Sequence, residues 1–140
     1  MLSLHSLASE IIDVPFTADS KKHYRTTHLL KDLKINDQML LQTAYVLLVE
    51  TPSLHDAPYE TQNGELEKFG HLAETYQVLF VVASPEDAYQ HGYRTSTETA
   101  KKLLGEDARF RVRLLNSEGM VLHESLRPVK VTALQKWLGQ

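Results

Sequence analysis

Two short apolar runs separated by an amphipathic stretch constrain the fold of this chain more than any other feature. Residues 44–50 (AYVLLVE) and 78–84 (VLFVVAS) are rich in valine and too short for buried helices, so each predicts a strand covered on both faces. Between them, residues 65–76 have helical spacing, with an apolar face made of Leu66, Phe69, Leu72, Ala73 and Tyr76. Strand, helix and strand in this order predict two parallel strands joined by a right-handed crossover. The chain is therefore predicted to be an α/β protein.

The last third of the chain predicts a hairpin followed by a helix. In residues 109–125 (RFRVRLLNSEGMVLHES), two apolar runs flank a polar turn that closes on Gly119. We expect this antiparallel hairpin to form the edge of a mixed sheet. Residues 131–138 have helical spacing and should cover one face of it. A shorter helix is expected over residues 95–105, with Ser96 or Thr97 as its N-cap and Gly105 as its end.

The remaining segments are predicted from weaker local patterns. Residues 10–16 suggest a short strand in which Pro15 fits only an edge or an end, and residues 19–33 suggest a helix capped by Asp19 or Ser20. A break is expected at residues 36–37. Residues 51–64 and 84–93 are predicted to be loops at the carboxyl ends of the two parallel strands, where open α/β sheets bind ligands. With 140 residues, we expect one domain spanning 1–140, in which residues 1–40 either open the fold or form an N-terminal extension.

The composition excludes several classes of function. The chain has no cysteine, which excludes a thiol-disulfide oxidoreductase, a disulfide framework and cysteine zinc sites. The net charge of −3 and the scattered basic residues argue against a nucleic-acid partner. No apolar run reaches the roughly 20 residues of a membrane helix, and the first residues lack a basic leader. We expect a cytoplasmic protein without a membrane partner, the alternative being an exported domain whose leader has been removed. There is no glycine-rich phosphate loop, and we expect no cofactor.

The two predicted loops carry the candidate binding residues, which are His55, Asp56, Tyr59, Tyr89, His91 and Tyr93. Together they would form a pocket or a protein-contact patch, although tyrosines in loops often only pack the loop onto the domain. In an alternative reading, His55, Asp56 and His91 would form a metal site together with Glu86 or Asp87. Because no histidine pair has ligand spacing, we expect neither a metal site nor a catalytic residue.

Two further surface predictions concern the hairpin. Arg109, Arg111 and Arg113 alternate along a strand and predict a basic stripe, either on a solvated sheet edge or on a partner-binding surface. His123 alternates in the second strand and is expected to face outward.

The order of the predicted elements resembles the thioredoxin fold. Residues 45–50, 66–82 and 110–121 (FRVRLLNSEGMV), followed by Ser125, Pro128, Val129 and Leu134, are similar to cysteine-free thioredoxin-like domains of unknown function. The chain has Asn-Ser-Glu-Gly at the turn where that family has Lys-Asp-Gly. It also lacks the proline that redox thioredoxins carry directly before the residue matching Phe110. The resemblance implies a thioredoxin-like mixed sheet with a C-terminal antiparallel hairpin and flanking helices, and it implies no catalytic residue.

These observations lead to one expected function and one alternative. We expect a non-redox thioredoxin-like binding or adaptor module that acts on a protein partner or forms a homodimer. The alternative is a small enzyme or metal-binding protein that uses His55, Asp56 and His91.

Overall fold

A computed structural model describes residues 10–17, 23–27, 44–86 and 93–139. Within these residues seven strands form one mixed sheet in the order β2-β1-β5-β4-β3-β6-β7. The strands are β1 Pro15–Thr17, β2 His23–Arg25, β3 Tyr45–Glu50, β4 Val78–Ala83, β5 Tyr93–Arg94, β6 Arg111–Asn116 and β7 Val121–Ser125. β3 pairs in parallel with β4 and antiparallel with β6, and β6 pairs antiparallel with β7. The predicted parallel pair and the predicted hairpin at the sheet edge are confirmed.

Helices cover both faces of the sheet. They are α1 Ala57–Lys68, α2 Gly70–Tyr76, α3 Thr97–Leu104 and α4 Val131–Leu138. On one face, side chains of α1, α2 and α4 pack around Leu47 and Val49 of β3; on the other face, α3 and Phe16 pack against Val46 and Leu48. β3 is therefore buried on both faces, as its continuous apolar sequence predicts. None of the described helices combines the length and the apolar character needed to cross a membrane.

The helix predicted over residues 19–33 is wrong where the structure describes it. His23–Arg25 forms strand β2, which pairs antiparallel with β1 and sets Tyr24 opposite Phe16. The two rings lie 5.6 Å apart between centroids, and both are buried. The Thr26 hydroxyl donates to the Ile12 carbonyl at 2.6 Å and accepts from the Val14 N–H at 3.1 Å. These side-chain bonds to the backbone compete with a helix, and propensity within the segment does not reveal them.

The first 43 residues carry further predictions, namely a strand over residues 10–16, the rest of the helix and a break at residues 36–37. The strand predicted over residues 10–16 lies at Pro15–Thr17, with its proline at the first position, where no ladder donor is lost. The remainder of the predicted helix, residues 19–22 and 28–33, and the break at 36–37 fall outside the described residues.

The loop predicted over residues 51–64 is wrong from Ala57 onward, where α1 begins. Pro58 occupies the first turn, where its missing N–H costs nothing, so it starts the helix rather than preventing it. Gln62 is fully buried: its side-chain amide donates to the Val129 carbonyl at 3.0 Å and accepts from the Val129 N–H at 2.6 Å. This contact fixes the middle of α1, although the next two residues, Asn63 and Gly64, have low helix propensity. The single helix predicted over residues 65–76 is divided at Phe69 into α1 and α2.

The carboxyl-terminal elements form as predicted. The Ser96 hydroxyl caps α3 by accepting from the Thr99 N–H at 3.1 Å, and Gly105 ends it with a φ of 66°. In the hairpin turn, Gly119 has a φ of 83°, and a Cβ there would lie 2.5 Å from the Ile12 carbonyl oxygen. The prediction that His123 faces outward is wrong. Its ring stacks on that of Trp137 in α4, with 5.0 Å between the ring centroids. The alternation of side chains along β7 directs His123 toward the face that α4 covers.

Candidate functional site

Three loops meet at the carboxyl end of β3. Because β3 and β4 are parallel, with Glu50 beside Ala83, residues 51–56 and 84–86 leave the sheet at the same edge. β6 runs the other way and begins there, with Arg111 beside Glu50, so residues 105–110 reach the same place. We call residues 51–56, 84–86 and 105–110 the loop edge. The third loop was not predicted from the sequence, although a hairpin strand placed beside β3 would have indicated it.

A single carboxylate joins the first two loops. Glu86 Oε1 accepts from the Leu54 N–H at 2.6 Å and from the Ser53 hydroxyl at 3.2 Å. The Glu86 N–H in turn donates to the Ser84 hydroxyl at 3.2 Å, and the Thr51 hydroxyl donates to the Ser53 carbonyl at 2.7 Å. Hydrogen bonds to a charged acceptor are stronger than neutral ones. The conformation of residues 51–54 is therefore set by the loop that follows β4.

The first loop displays two of the predicted site residues. His55 is exposed, and Asp56 is the N-cap residue of α1, although its side chain makes no capping hydrogen bond. Tyr59 follows in the first turn of α1, half-buried against the face that carries α4. Burial raises the pKa of the Tyr59 phenol, so this hydroxyl stays protonated at neutral pH.

The second loop contributes less to this surface than the sequence suggests. Tyr93 lies in β5 on the face that α3 covers. The centroid of its ring is 6.0 Å from that of Phe16 and 6.4 Å from that of Tyr24. It is thus on the opposite side of the sheet from Tyr59. Tyr89 and His91 fall outside the described residues. In the part of the chain that is described, no three His, Asp or Glu side chains are placed to hold one metal ion.

A buried ionic cluster lies directly beneath the loop edge. Glu50, the last residue of β3, is fully buried, and its carboxylate binds the guanidinium groups of Arg111 and Arg113. Arg111 Nη2 lies 2.8 Å from Glu50 Oε1, and Arg113 Nε lies 2.9 Å from Glu50 Oε2, with a second contact from Arg113 Nη2. We call Glu50, Arg111, Arg113 and Glu10 the Glu50 cluster, because Arg113 Nη1 also reaches Glu10 Oε2 at 3.2 Å.

The Glu50 cluster corrects the predicted basic stripe. Arg113 is only 2% exposed and Arg111 is half-buried, so of the three arginines only Arg109 is exposed. Arg111 also donates to the Leu103 carbonyl at 3.1 Å, near the end of α3. The cluster therefore joins β3, β6, α3 and the N-terminal segment at the point where residues 51–56 begin. Its two carboxylates and two guanidinium groups are paired with one another, which offsets the cost of burying Glu50 and Arg113.

Comparisons with known proteins identify the fold. No known protein family matches the chain, and no curated protein matches it. Among solved structures, Peroxidoxin BcpB from Mycobacterium tuberculosis is similar with a TM-score of 0.65 and 11% identity, over 94% of each chain. The exposed lipoprotein thioredoxin from Streptococcus pneumoniae gives a TM-score of 0.58 and 13% identity, over 91% of this chain and 98% of that one. A conserved protein of unknown function from Bacteroides fragilis gives 0.57 and 12%, over 93% of this chain and 96% of that one.

At these identities the likeness shows the fold alone. The fold is thioredoxin-like, as the order of elements and the hairpin predict, and this chain builds it without any cysteine.

Proposed function

We propose that this chain is a non-redox binding or adaptor module that contacts a protein partner through its loop edge. The observation that carries the proposal is the bond network of Glu86, which fixes residues 51–54 and leaves His55 exposed beside them. A loop that is already ordered loses little conformational entropy on binding. The absence of cysteine removes the thiol chemistry that a thioredoxin-like fold can otherwise carry.

The charges of the loop edge favour a partner with basic groups. Exposed or half-buried acidic residues on its described part are Asp56, Glu86, Glu106 and Asp107, against one exposed arginine, Arg109. Complementary charge across an interface accelerates association and selects the partner. Tyr89 and His91 lie between Glu86 and Tyr93 in the sequence, and on that ground alone we include them in the proposed surface.

A photocrosslinking experiment tests this proposal. Benzoylphenylalanine is placed at position 55 in one variant and at Lys102, an exposed residue of α3, in a control variant. After irradiation in an extract of the source cells, we expect the position-55 probe to capture a defined protein that the position-102 probe does not capture. An excess of the unmodified chain should compete with this capture.

Charge variants then separate a specific contact from general stickiness. Asp56→Lys with Asp107→Lys should weaken capture about tenfold, since it reverses charge on the loop edge. Glu67→Lys with Glu118→Lys makes the same change in net charge at exposed positions elsewhere and should leave capture unchanged. Equal capture by both probes, or equal loss with both pairs of substitutions, would contradict the proposal.

A further inference from the structure

The middle of α1 contains Asn-Gly, a dipeptide that converts spontaneously in unstructured peptides. Asn63 is followed by Gly64, whose backbone nitrogen has no side chain beside it to obstruct an attack. A bond forms from the Gly64 nitrogen to Asn63 Cγ, and the side-chain nitrogen leaves as ammonia together with the Gly64 amide proton. Water then opens the cyclic succinimide at either carbonyl. The product is aspartate or isoaspartate at position 63.

The surroundings of this dipeptide leave room for the reaction. Asn63 is exposed and Gly64 is partly exposed, so water reaches both residues. A Cβ added to Gly64 would meet no atom within 4 Å. Asn116 in the hairpin turn is held differently, because its Oδ1 accepts from the N–H groups of Glu118 at 2.9 Å and Met120 at 3.0 Å. Of these two asparagines, Asn63 is therefore the one open to attack.

The helical backbone of α1 prevents the attack while the helix is intact. In an α-helix ψ is about −42°, an angle that does not bring the next nitrogen against the side-chain carbon of the same residue. Each N–H within the helix is also held by the carbonyl four residues earlier. The reaction therefore requires residues 63 and 64 to leave the helix. Because both residues have low helix propensity, tertiary contacts must supply most of the resistance to this opening.

Two contacts with residues 129–131 hold this part of α1. Gln62, directly before the dipeptide, is fully buried and exchanges two hydrogen bonds with the backbone of Val129. Glu65, directly after the dipeptide, accepts from the Val131 N–H at 3.0 Å. We call these contacts the Gln62 anchor and the Glu65 anchor. Opening the dipeptide disturbs them, and loss of the Gln62 anchor leaves buried backbone groups of Val129 without partners.

We propose that Asn63 and Gly64 form a self-modification site that reacts when α1 opens locally and that the Gln62 anchor keeps slow. Isoaspartate adds a methylene to the main chain between the two anchors, which then lose their common register with residues 129–131. The modification thus converts a brief opening of α1 into a lasting loss of its contact with the start of α4. This inference does not depend on the proposed binding function.

Peptide mapping by mass spectrometry, after incubation of the chain at neutral pH and physiological temperature, measures the conversion of Asn63. We expect conversion in the folded chain to be more than about tenfold slower than in a synthetic peptide of residues 57–68, where no tertiary contact holds the helix. Gln62→Ala should accelerate it about tenfold, because the Gln62 anchor is lost. Gly64→Ala should slow it, since the added methyl obstructs the attacking nitrogen and favours the helix. Methyl transfer from S-adenosylmethionine by an isoaspartate methyltransferase identifies the isoaspartate product.

Ser96→Ala separates local opening from global unfolding, because it removes the cap of α3 and leaves α1 unchanged. This control should not change the rate at position 63. Circular dichroism checks that each variant stays folded during the incubation. If Gln62→Ala does not stay folded, Glu65→Ala replaces it and should accelerate conversion severalfold through loss of the Glu65 anchor. Equal rates in the folded chain and the peptide, no acceleration by the anchor variant, or equal acceleration by Ser96→Ala would overturn the proposal.

Discussion

Glu50 is the residue whose environment departs most from what its position in the sequence suggests. It ends an apolar strand, and such a carboxylate usually marks the point where a strand reaches solvent. Here it is fully buried because the register of β3 and β6 sets it opposite Arg111, with Arg113 two residues further along β6 on the same face. The arginines lie 61 and 63 residues away in sequence, so alternation alone could indicate their shared face but not their partner.

We predict that Glu50→Gln lowers the free energy of unfolding by about 3–5 kcal/mol, because it leaves the buried Arg113 charge without its main counterion. Glu124→Gln is the matched control, since Glu124 also contacts Arg111 but is exposed. This control should change the free energy by less than about 1 kcal/mol. Urea unfolding followed by circular dichroism measures both variants, and an equally small effect would show that burial of the Glu50 charge carries no such penalty.

At the scale of elements, the predictions are correct where the residues that determine an element lie within its own segment. β3, β4, the hairpin, α3 and α4 are specified by apolar spacing, caps and turn glycines within each segment, and these predictions are confirmed. The middle of α1 is held by the contact of Gln62 with Val129, which is 67 residues away, and β2 depends on packing against Phe16. Local propensity contains neither contact, so one segment was predicted as a loop and the other as a helix.

α4 receives part of its amino-terminal cap from another helix. Its N-cap residue Lys130 makes no side-chain cap, and the Val131 N–H instead donates to Glu65 Oε1 of α1 at 3.0 Å. The hydrogen bond from Lys68, with that from Val131, lowers the pKa of Glu65 below its ordinary value of 4.5. Glu65 therefore couples the α1–α4 contact to pH.

We predict that Glu65→Gln destabilises the fold at neutral pH and that this difference disappears in acid. A carboxylate with a lowered folded-state pKa contributes stability above its unfolded pKa and loses it as pH falls through the folded value. The difference in unfolding free energy between the two proteins should thus be constant above pH 4.5 and shrink below it. Glu67→Gln, an exposed change on the same helix, should show no such trend. A difference that grows toward low pH would refute the assignment.

For the whole molecule, the position of the loop edge was easier to predict from the sequence than the side chains that it presents. Two parallel strands were enough to place residues 51–56 and 84–86 at one edge. The third loop required the direction of β6 beside β3, and the place of Tyr93 required β5 to join the sheet beside β1. Side chains in loops take their orientation from such long-range pairings, which is why His55 and Tyr93 were predicted together but lie in different surroundings.

Two apolar clusters, one on each face of the sheet, raise the question of whether the N-terminal strands unfold with the rest. Phe16 is 1% exposed in the cluster under α3, and Phe69 is fully buried in the cluster under α4. The chain's one tryptophan, Trp137, packs on the Phe69 side. Its fluorescence therefore reports from the face opposite Phe16.

If residues 1–40 belong to one cooperative domain, Phe16→Ala should lower stability by about 3–5 kcal/mol, as should Phe69→Ala. Each variant should shift the urea midpoint equally in Trp137 fluorescence and in circular dichroism, since two-state unfolding makes all probes coincide. Ile11→Ser, a change at an exposed neighbouring position, should leave both midpoints in place. A Phe16→Ala protein whose Trp137 transition stays at its original midpoint would show instead that the N-terminal segment is an extension, docked on a sheet that is stable without it.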